Sequence, residues 1–290
     1  MFKGSGTALV TPFKNGKVDE KALRNLIDFQ IENGTDFVVP VGTTGESSTL
    51  SHDEHIEVIR ITVDQVAKRV PVLAGAGSNS TLEAIHLTEA AAKLGVQGTL
   101  QICPYYNKPT QAGIIAHFEA ITQAVNLPII VYNIKGRTGI NIELPTIVHL
   151  SKVPNIVGIK EANGSIVAVS DILENCKNFL VLSGEDSITF PMLALGAHGA
   201  ISVTSNVLPK LCAQMWDAVC QSNFEKAREI HYQLAAMNRI LFIETNPIPV
   251  KTALSLMKKL NLEFRLPLVN LQPNHLEQLK TVLISYHLIT

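Results

Sequence analysis

From near the start of the chain to about residue 220, short apolar runs rich in β-branched residues alternate with amphipathic stretches. The runs predict strands at Thr7–Val10, Phe37–Val41, Val70–Ala74, Gly98–Ile102, Ile129–Asn133, Ile156–Lys160, Leu180–Ser183 and Ala200–Val203. The stretches between them carry helix-start signals. Ser51-His52-Asp53-Glu54 and Ser80-Thr81-Leu82-Glu83 both fit the capping box, in which a hydroxyl and a carboxylate satisfy orphan amides reciprocally. Gly34 and Gly95 follow two of the amphipathic stretches, where a left-handed residue ends a helix. Eight such units in series predict an α/β fold, a (β/α)8 TIM barrel. Beyond residue 223 the alternation stops, and 224–242, 248–260 and 274–288 read as helices. The expected organisation is a catalytic barrel over residues 1–223 with a C-terminal helical extension, 224–290, packed on it. The rival is a doubly wound nucleotide-binding sheet, suggested by Ala74-Gly75-Ala76-Gly77-Ser78-Asn79. That segment lacks the third glycine and the acidic residue after a second strand.

Barrel active sites form where strands end, so the residues after each predicted strand are the candidates. The most informative is Lys160, in Ile156-Val157-Gly158-Ile159-Lys160-Glu161-Ala162. With a side-chain period of two, Ile156, Gly158 and Lys160 share one face. An amine among such neighbours is poorly solvated, its pKa falls, and its neutral form can attack a ketone. The plain alternative is a strand-end lysine that reaches water or pairs with Glu161. After the second strand, Gly42-Thr43-Thr44-Gly45-Glu46 can turn successive N–H groups toward an anion. Pro104-Tyr105-Tyr106-Asn107-Lys108-Pro109 follows the fourth strand, and Tyr132 lies on the Ile130 face of the fifth, where it meets Lys160 if that face points inward. Arg137 offers a planar fork for a carboxylate, and Gly184 leaves room for close substrate approach. A lysine, phenols, an anion cradle and an arginine at one barrel end serve carbonyl condensation: an iminium forms on lysine and a phenol moves protons.

Composition narrows the partners. The 290 residues are 46% hydrophobic and 17% charged, with 24 basic and 25 acidic residues for a net charge of −1. No basic run points to nucleic acid or a membrane surface, so small-molecule partners are expected. Cys103, Cys176, Cys212 and Cys220 show neither a CxxC pair nor zinc spacing, so no metal and no separate cofactor are expected, and reduced thiols fit a reducing compartment. The N-terminus runs into a strand-like segment with no signal-peptide pattern, and the expected location is cytoplasmic.

Taken together, Gly42–Glu46, Pro104–Pro109, Tyr132-Asn133 with Arg137-Thr138-Gly139, Gly158–Ala162, Gly199–Val203 and Asn246-Pro247-Ile248-Pro249-Val250-Lys251 resemble the dihydrodipicolinate synthase family over essentially the whole chain. The resemblance implies a lyase of the class I aldolase type in lysine (diaminopimelate) biosynthesis. Such an enzyme joins pyruvate to L-aspartate 4-semialdehyde. By position, Lys160 would carry the Schiff base, Tyr132 would move protons, and Thr43 and Tyr106 would complete a relay, with Tyr106 supplied by a neighbouring subunit of a homotetramer. Thr44 and Ile201 would contact pyruvate, and Arg137 would hold the semialdehyde carboxylate. Feedback-sensitive members bind L-lysine at positions matching Ser47, Ser48, His52, His55, Asn79, Glu83 and Tyr105; the plainer reading makes Glu83 the acid of its capping box.

Where the family often has a proline before the arginine loop, this chain has Ile134-Lys135-Gly136, which is expected to loosen it. The Gln111-Ala112-Gly113 segment also departs from the family, where an acidic middle residue is frequent. Two alternatives share parts of the pattern. A sibling pyruvate aldolase, such as N-acetylneuraminate lyase or a 2-keto-3-deoxy sugar acid aldolase, keeps the lysine and cradle but takes a polyol. A non-catalytic barrel that binds a 2-oxo acid needs the cradle alone.

Overall fold

A computed structural model describes all 290 residues. Eight parallel strands form the barrel: β1 Gly4–Ala8, β2 Phe37–Val39, β3 Leu73–Gly75, β4 Gly98–Ile102, β5 Ile129–Asn133, β6 Ile156–Glu161, β7 Leu180–Ser183 and β8 Gly199–Ser202. Their hydrogen-bonded order is β2-β1-β8-β7-β6-β5-β4-β3, and a parallel bridge between Val38 and Val72 joins the two ends of that series. Around them run α1 Glu20–Glu32, α2 His52–Val66, α3 Thr81–Lys93, α4 Gln111–Ala124, α5 Leu144–Leu150, α6 Ile166–Asn175, α7 Thr189–Ala194 and α8 Pro209–Cys220.

Half of the strand ends fall where the pattern places them, β2 stops at Val39 rather than Val41, and several other differences have local causes. β1 starts at Gly4 rather than Thr7. Gly4-Ser5-Gly6 has low strand propensity, yet the barrel needs it: a Cβ on Gly6 would lie 2.2 Å from the Phe37 ring. Phe37 and Phe2 meet edge-on there, centroids 5.8 Å apart, and plug the N-terminal end of the barrel. β3 begins at Leu73 because Pro71 has no N–H to give to the ladder. β8 runs Gly199–Ser202 rather than Ala200–Val203, because Val203 turns helical and its N–H goes to Asp186 Oδ2 at 3.0 Å. A small hairpin, Phe13-Lys14 against Lys17-Val18, was not anticipated from the sequence; it turns at Asn15-Gly16, whose φ values of 54° and 76° suit a type I′ turn.

The face assignment within β6 needs correction. Pairing to β5 slips between Ile129 and Ile130, so Ile156 packs outward with Ile159 while Val157 sits against the barrel interior. Strict alternation holds only from Gly158 onward, and Lys160 points inward because of it.

Both helix starts are capped, but differently. Ser51 and Glu54 form the reciprocal box, whereas Glu83 does not return to Ser80. The Ser80 N–H goes to Ser78 Oγ at 3.0 Å, and the Glu83 carboxylate binds the Ser78 hydroxyl and His52 Nε2, the latter at 2.6 Å. Gly34 and Gly95 are left-handed, φ 88° and 83°, as helix ends require.

The final segment forms α9 Phe224–Ile240, α10 Ile248–Leu256 and α11 Pro273–Ser285. Its apolar residues, among them Met237, Leu241, Val250, Leu254, Leu279 and Leu283, share one core with Val10, Leu26, Val203 and Val207 of the barrel. Two of its charged residues reach further. Lys251 forms a fully buried ion pair with Glu46, and Arg265 forks onto Glu54 at 2.5 and 2.6 Å. No helix is long and apolar enough to cross a membrane.

Leu279→Ala should cost about 2–5 kcal/mol of unfolding free energy, since the residue is fully buried between α11 and the barrel-facing core. Urea denaturation checks this; a change within error would mean that the extension is held by its polar contacts alone.

Candidate active site

Seven of the residues predicted from sequence line one cavity of about 70 Å³ at the carboxyl ends of the strands: Thr43, Thr44, Tyr132, Arg137, Lys160, Gly184 and Ile201. Lys160 and Tyr132 are register partners on β6 and β5, so the barrel ladder itself sets their separation. Lys160 Nζ lies 4.3 Å from the centroid of the Tyr132 ring. The amine is buried, 6% exposed, with Ala8, Val39, Leu100 and Ile201 among its neighbours on the cavity wall. Burial brings its pKa down to about 8; the nearby Asp186 carboxylate acts against this, and Arg137 adds slightly to it. Asp186 is not a direct partner, because its Oδ2 accepts the N–H groups of Val203 and Thr204 at 3.0 and 2.9 Å. Nor is Glu161, whose oxygens take Asn133 Nδ2 and the Asn163 N–H, each at 2.8 Å. The strand-end ion pair allowed by the sequence does not form.

Burial pushes the Tyr132 phenol up to about 12, against the pull of Arg137 and of the Thr43 hydroxyl beside it. The phenol is therefore a proton donor at neutral pH. It can act as a base only after passing its proton on.

The cradle is a single 3-10 turn, Thr43–Gly45. The N–H groups of Gly45, Glu46 and Ser47 bond back to the carbonyls of Gly42 and Thr43. Those of Thr43 and Thr44 have no partner within the chain, as expected for the first donors of a helical turn. Two non-glycine residues bracket the turn in left-handed backbone: Val41 at φ 50° and Glu46 at φ 54°. Such conformations cost on the order of 1–3 kcal/mol and persist only where surrounding contacts impose them. Val41 leaves no space opposite, since a Cβ on Gly75 would lie 2.3 Å from its carbonyl oxygen.

Arg137 sits in a short helical turn, Lys135–Thr138, and Arg137 Nη2 donates to the Asn246 carbonyl at 3.0 Å. The loosening expected from Lys135-Gly136 is offset by hydrogen bonds. The Lys135 N–H donates to Asn163 Oδ1 at 2.7 Å, and the Thr138 hydroxyl to the Ile134 and Ile140 carbonyls at 3.0 and 2.8 Å. Asn246, part of a family motif in the sequence but given no role there, joins the site. Its Nδ2 donates to Thr44 Oγ1 at 2.9 Å, its carbonyl holds Arg137, and its buried Oδ1 has no partner. Phe242 and Glu185 also line the cavity. Asn246-Pro247 carries a turn signal, but nothing local marks the distant strand end that it meets.

Tyr106 stands apart. It is 89% exposed in left-handed backbone, φ 71°, and does not reach the cavity of its own chain. A second cavity, about 500 Å³, shares Gly42, Thr43, Leu100, Tyr132 and Arg137 with the first and brings together Ser47, Ser48, His52, His55, Glu83 and Tyr105. Asn79 does not line it; its carbonyl accepts Asn107 Nδ2 at 2.9 Å nearby. Glu83 is held below its usual carboxylate range by the Ser78 and His52 hydrogen bonds. Burial depresses His55, whose Nε2 meets the Gly75 carbonyl at 2.7 Å and so carries the proton. No cluster of three or more His, Cys, Asp or Glu residues is arranged to hold a metal.

Residues 1–285 match the sequence model of the dihydrodipicolinate synthetase family. A curated relative from Syntrophus aciditrophicus, a 4-hydroxy-tetrahydrodipicolinate synthase, is 54% identical over 290 residues, the whole of both chains. The crystal structure of dihydrodipicolinate synthase from Aquifex aeolicus is 48% identical and covers 99% of each chain with a TM-score of 0.98. Two solved structures at 43% identity carry ligands. The enzyme from Acinetobacter baumannii is complexed with pyruvate (TM-score 0.98, 100% of both chains), and that from Cyanidioschyzon merolae has lysine bound (TM-score 0.96, 99% of both chains).

Modification of Lys160 by an amine-directed reagent should titrate with a midpoint near pH 8 rather than at the 10.5 of a solvated lysine. Peptide mapping across a pH series reads this directly, and a midpoint above 10 would mean that the amine is solvated.

Proposed function

The chain belongs to the dihydrodipicolinate synthetase family, and we propose how its cavity performs the synthase reaction, the condensation of pyruvate with L-aspartate 4-semialdehyde. It is an enzyme, a lyase of the class I aldolase type serving lysine (diaminopimelate) biosynthesis. One observation carries the mechanism: a desolvated amine on Lys160 faces a protonated phenol on Tyr132, with free N–H donors on one side and a guanidinium on the other.

Pyruvate enters with its carboxylate on the Thr43 and Thr44 N–H groups, beside Ile201 and over Gly184, which leaves its carbonyl carbon near Lys160. The neutral amine attacks C2, and the Tyr132 phenol protonates the departing hydroxyl, so that water leaves and an iminium remains. Loss of a C3 proton gives the enamine. Its C3 attacks the aldehyde carbon of the semialdehyde, whose carboxylate Arg137 holds at the mouth, and Tyr132 protonates the new alkoxide. The semialdehyde's own amine then attacks C2, closes the ring and releases Lys160. Protons leave and return through Thr43 and Tyr106, supplied by a neighbouring subunit of a homotetramer. The exposure of Tyr106 supports that reading. The covalent chemistry needs no separate cofactor.

L-Lysine is the proposed ligand of the second cavity. Glu83 takes an ammonium group, and Ser47, Ser48, His52, His55 and Tyr105 supply polar contacts, while Asn79, expected from the sequence to join them, lies outside the lining. Thr43 and Tyr132 are among the residues that line both cavities, so ligation of one alters the relay in the other. The four free thiols fit a cytoplasmic enzyme.

The deciding assay is pyruvate-dependent turnover with L-aspartate 4-semialdehyde, run beside N-acetylmannosamine and glyceraldehyde as acceptors. Turnover with the semialdehyde alone is expected; preference for a sugar aldehyde would assign the cavity to a sibling aldolase. Lys160→Ala should abolish turnover. Arg137→Ala should lower kcat/KM for the semialdehyde on the order of 100-fold, about 2.7 kcal/mol, with pyruvate binding largely kept. Equal damage toward both substrates would contradict the assigned role. Millimolar L-lysine should inhibit the wild type and inhibit Glu83→Gln less; undiminished wild-type activity would remove the second-site proposal.

A further inference from the structure

Glu46 ends the cradle sequence yet faces away from the cavity that the cradle serves, and it does not line that cavity. Its side chain and that of Lys251 are both 0% exposed and form an ion pair. Lys251 Nζ also donates to the Glu263 carbonyl at 2.7 Å and lies 4.3 Å from the Phe13 ring centroid. The second Glu46 oxygen accepts the Arg265 N–H at 3.4 Å. Every hydrogen bond that this carboxylate accepts therefore comes from the C-terminal extension.

A buried ion pair is weak evidence for stability, because desolvation consumes most of the Coulombic gain. Its value lies in fixing geometry, and here the geometry joins two carboxylate sites. The cradle is bracketed by the left-handed Val41 and Glu46, which hold their conformation only if something outside the turn imposes it. Lys251 lies on α10 just after Asn246, the residue whose Nδ2 binds Thr44 and whose carbonyl binds Arg137. Two struts thus connect the turn 42–46 to the segment 246–251: Asn246 to Thr44, and Lys251 to Glu46. That same segment seats Arg137.

We propose that Glu46 and Lys251 are positioning residues: their buried pair sets the placement of the Thr43–Thr44 donors relative to Arg137, and so the spacing of the two substrate carboxylates. The proposal rests on the reading of the cavity given above. Neither residue touches substrate.

The test replaces both partners, Glu46→Gln with Lys251→Met, so that no charge is left buried alone. The expected protein melts within a few degrees of wild type. Its kcat/KM for both substrates falls on the order of 100-fold, mostly through KM, as displacement by about 1 Å would cause. Borohydride trapping of the pyruvate adduct, which needs no aldehyde, should require higher pyruvate for half-saturation. A folded double variant with wild-type KM values and trapping curve overturns the proposal. If that variant does not fold, Glu46→Gln alone decides, since glutamine keeps the volume and an acceptor for Lys251 Nζ. A smaller rise in half-saturation supports the proposal, and an unchanged curve overturns it. Glu54→Gln is the control for general loosening, because it weakens the Arg265 tie without touching the cradle. It should lower the melting temperature and leave the trapping curve in place, and an equal displacement of the curve would also overturn the positioning role. Failure of wild-type trapping with pyruvate would instead count against the Schiff-base reading itself.

Discussion

Desolvation of one amine is the constraint around which the rest of this molecule is arranged. A lysine costs free energy to place inside a barrel unless it pairs with a carboxylate or gives up its proton. Here both adjacent acids are already committed elsewhere, Asp186 to two backbone N–H groups and Glu161 to asparagines. The amine is left facing an aromatic ring, with a pKa of about 8. At pH 7 about one amine in ten is neutral, where a solvated lysine would offer far fewer. The same burial acts in the opposite sense on Tyr132, which keeps its proton. A single apolar lining therefore places an amine that loses its proton readily beside a phenol that keeps its own.

In the proposed mechanism the substrate's charges also need donors, and the free ones at this cavity come from irregular backbone. The cradle turn exposes two N–H groups because they are the first donors of a helical turn, and Val41 and Glu46 bracket it in left-handed conformations. The C-terminal extension supplies the contacts that hold it: Asn246 on Thr44, Lys251 on Glu46, and the carbonyl that seats Arg137. The extension is thus part of the site as well as cover for one side of the barrel.

Much of this was legible in the sequence, for physical reasons that can be named. The barrel strands announced themselves as β-branched runs, and Lys160, Tyr132, Arg137 and the cradle threonines fell at their ends because strand order maps directly onto barrel position. What escaped notice depended on contacts distant in sequence or on local irregularity. Asn246 acts through residues 109 and 202 positions away. The slip in β6 is invisible to a strict period of two. Glu83 satisfied the capping-box pattern, but a histidine from α2 and Ser78 offered it better partners. Tyr106 is exposed and outside the cavity of its own chain, and no local pattern says that a tyrosine will face outward.

The most direct measurement is reduction of the protein with borohydride in the presence of pyruvate alone, followed by mass spectrometry of the intact chain and its peptides. A single reduced pyruvate adduct on the peptide carrying Lys160, absent without pyruvate, is the predicted result. An unmodified Lys160 under conditions that support turnover, or an adduct on a different lysine, would contradict the central claim.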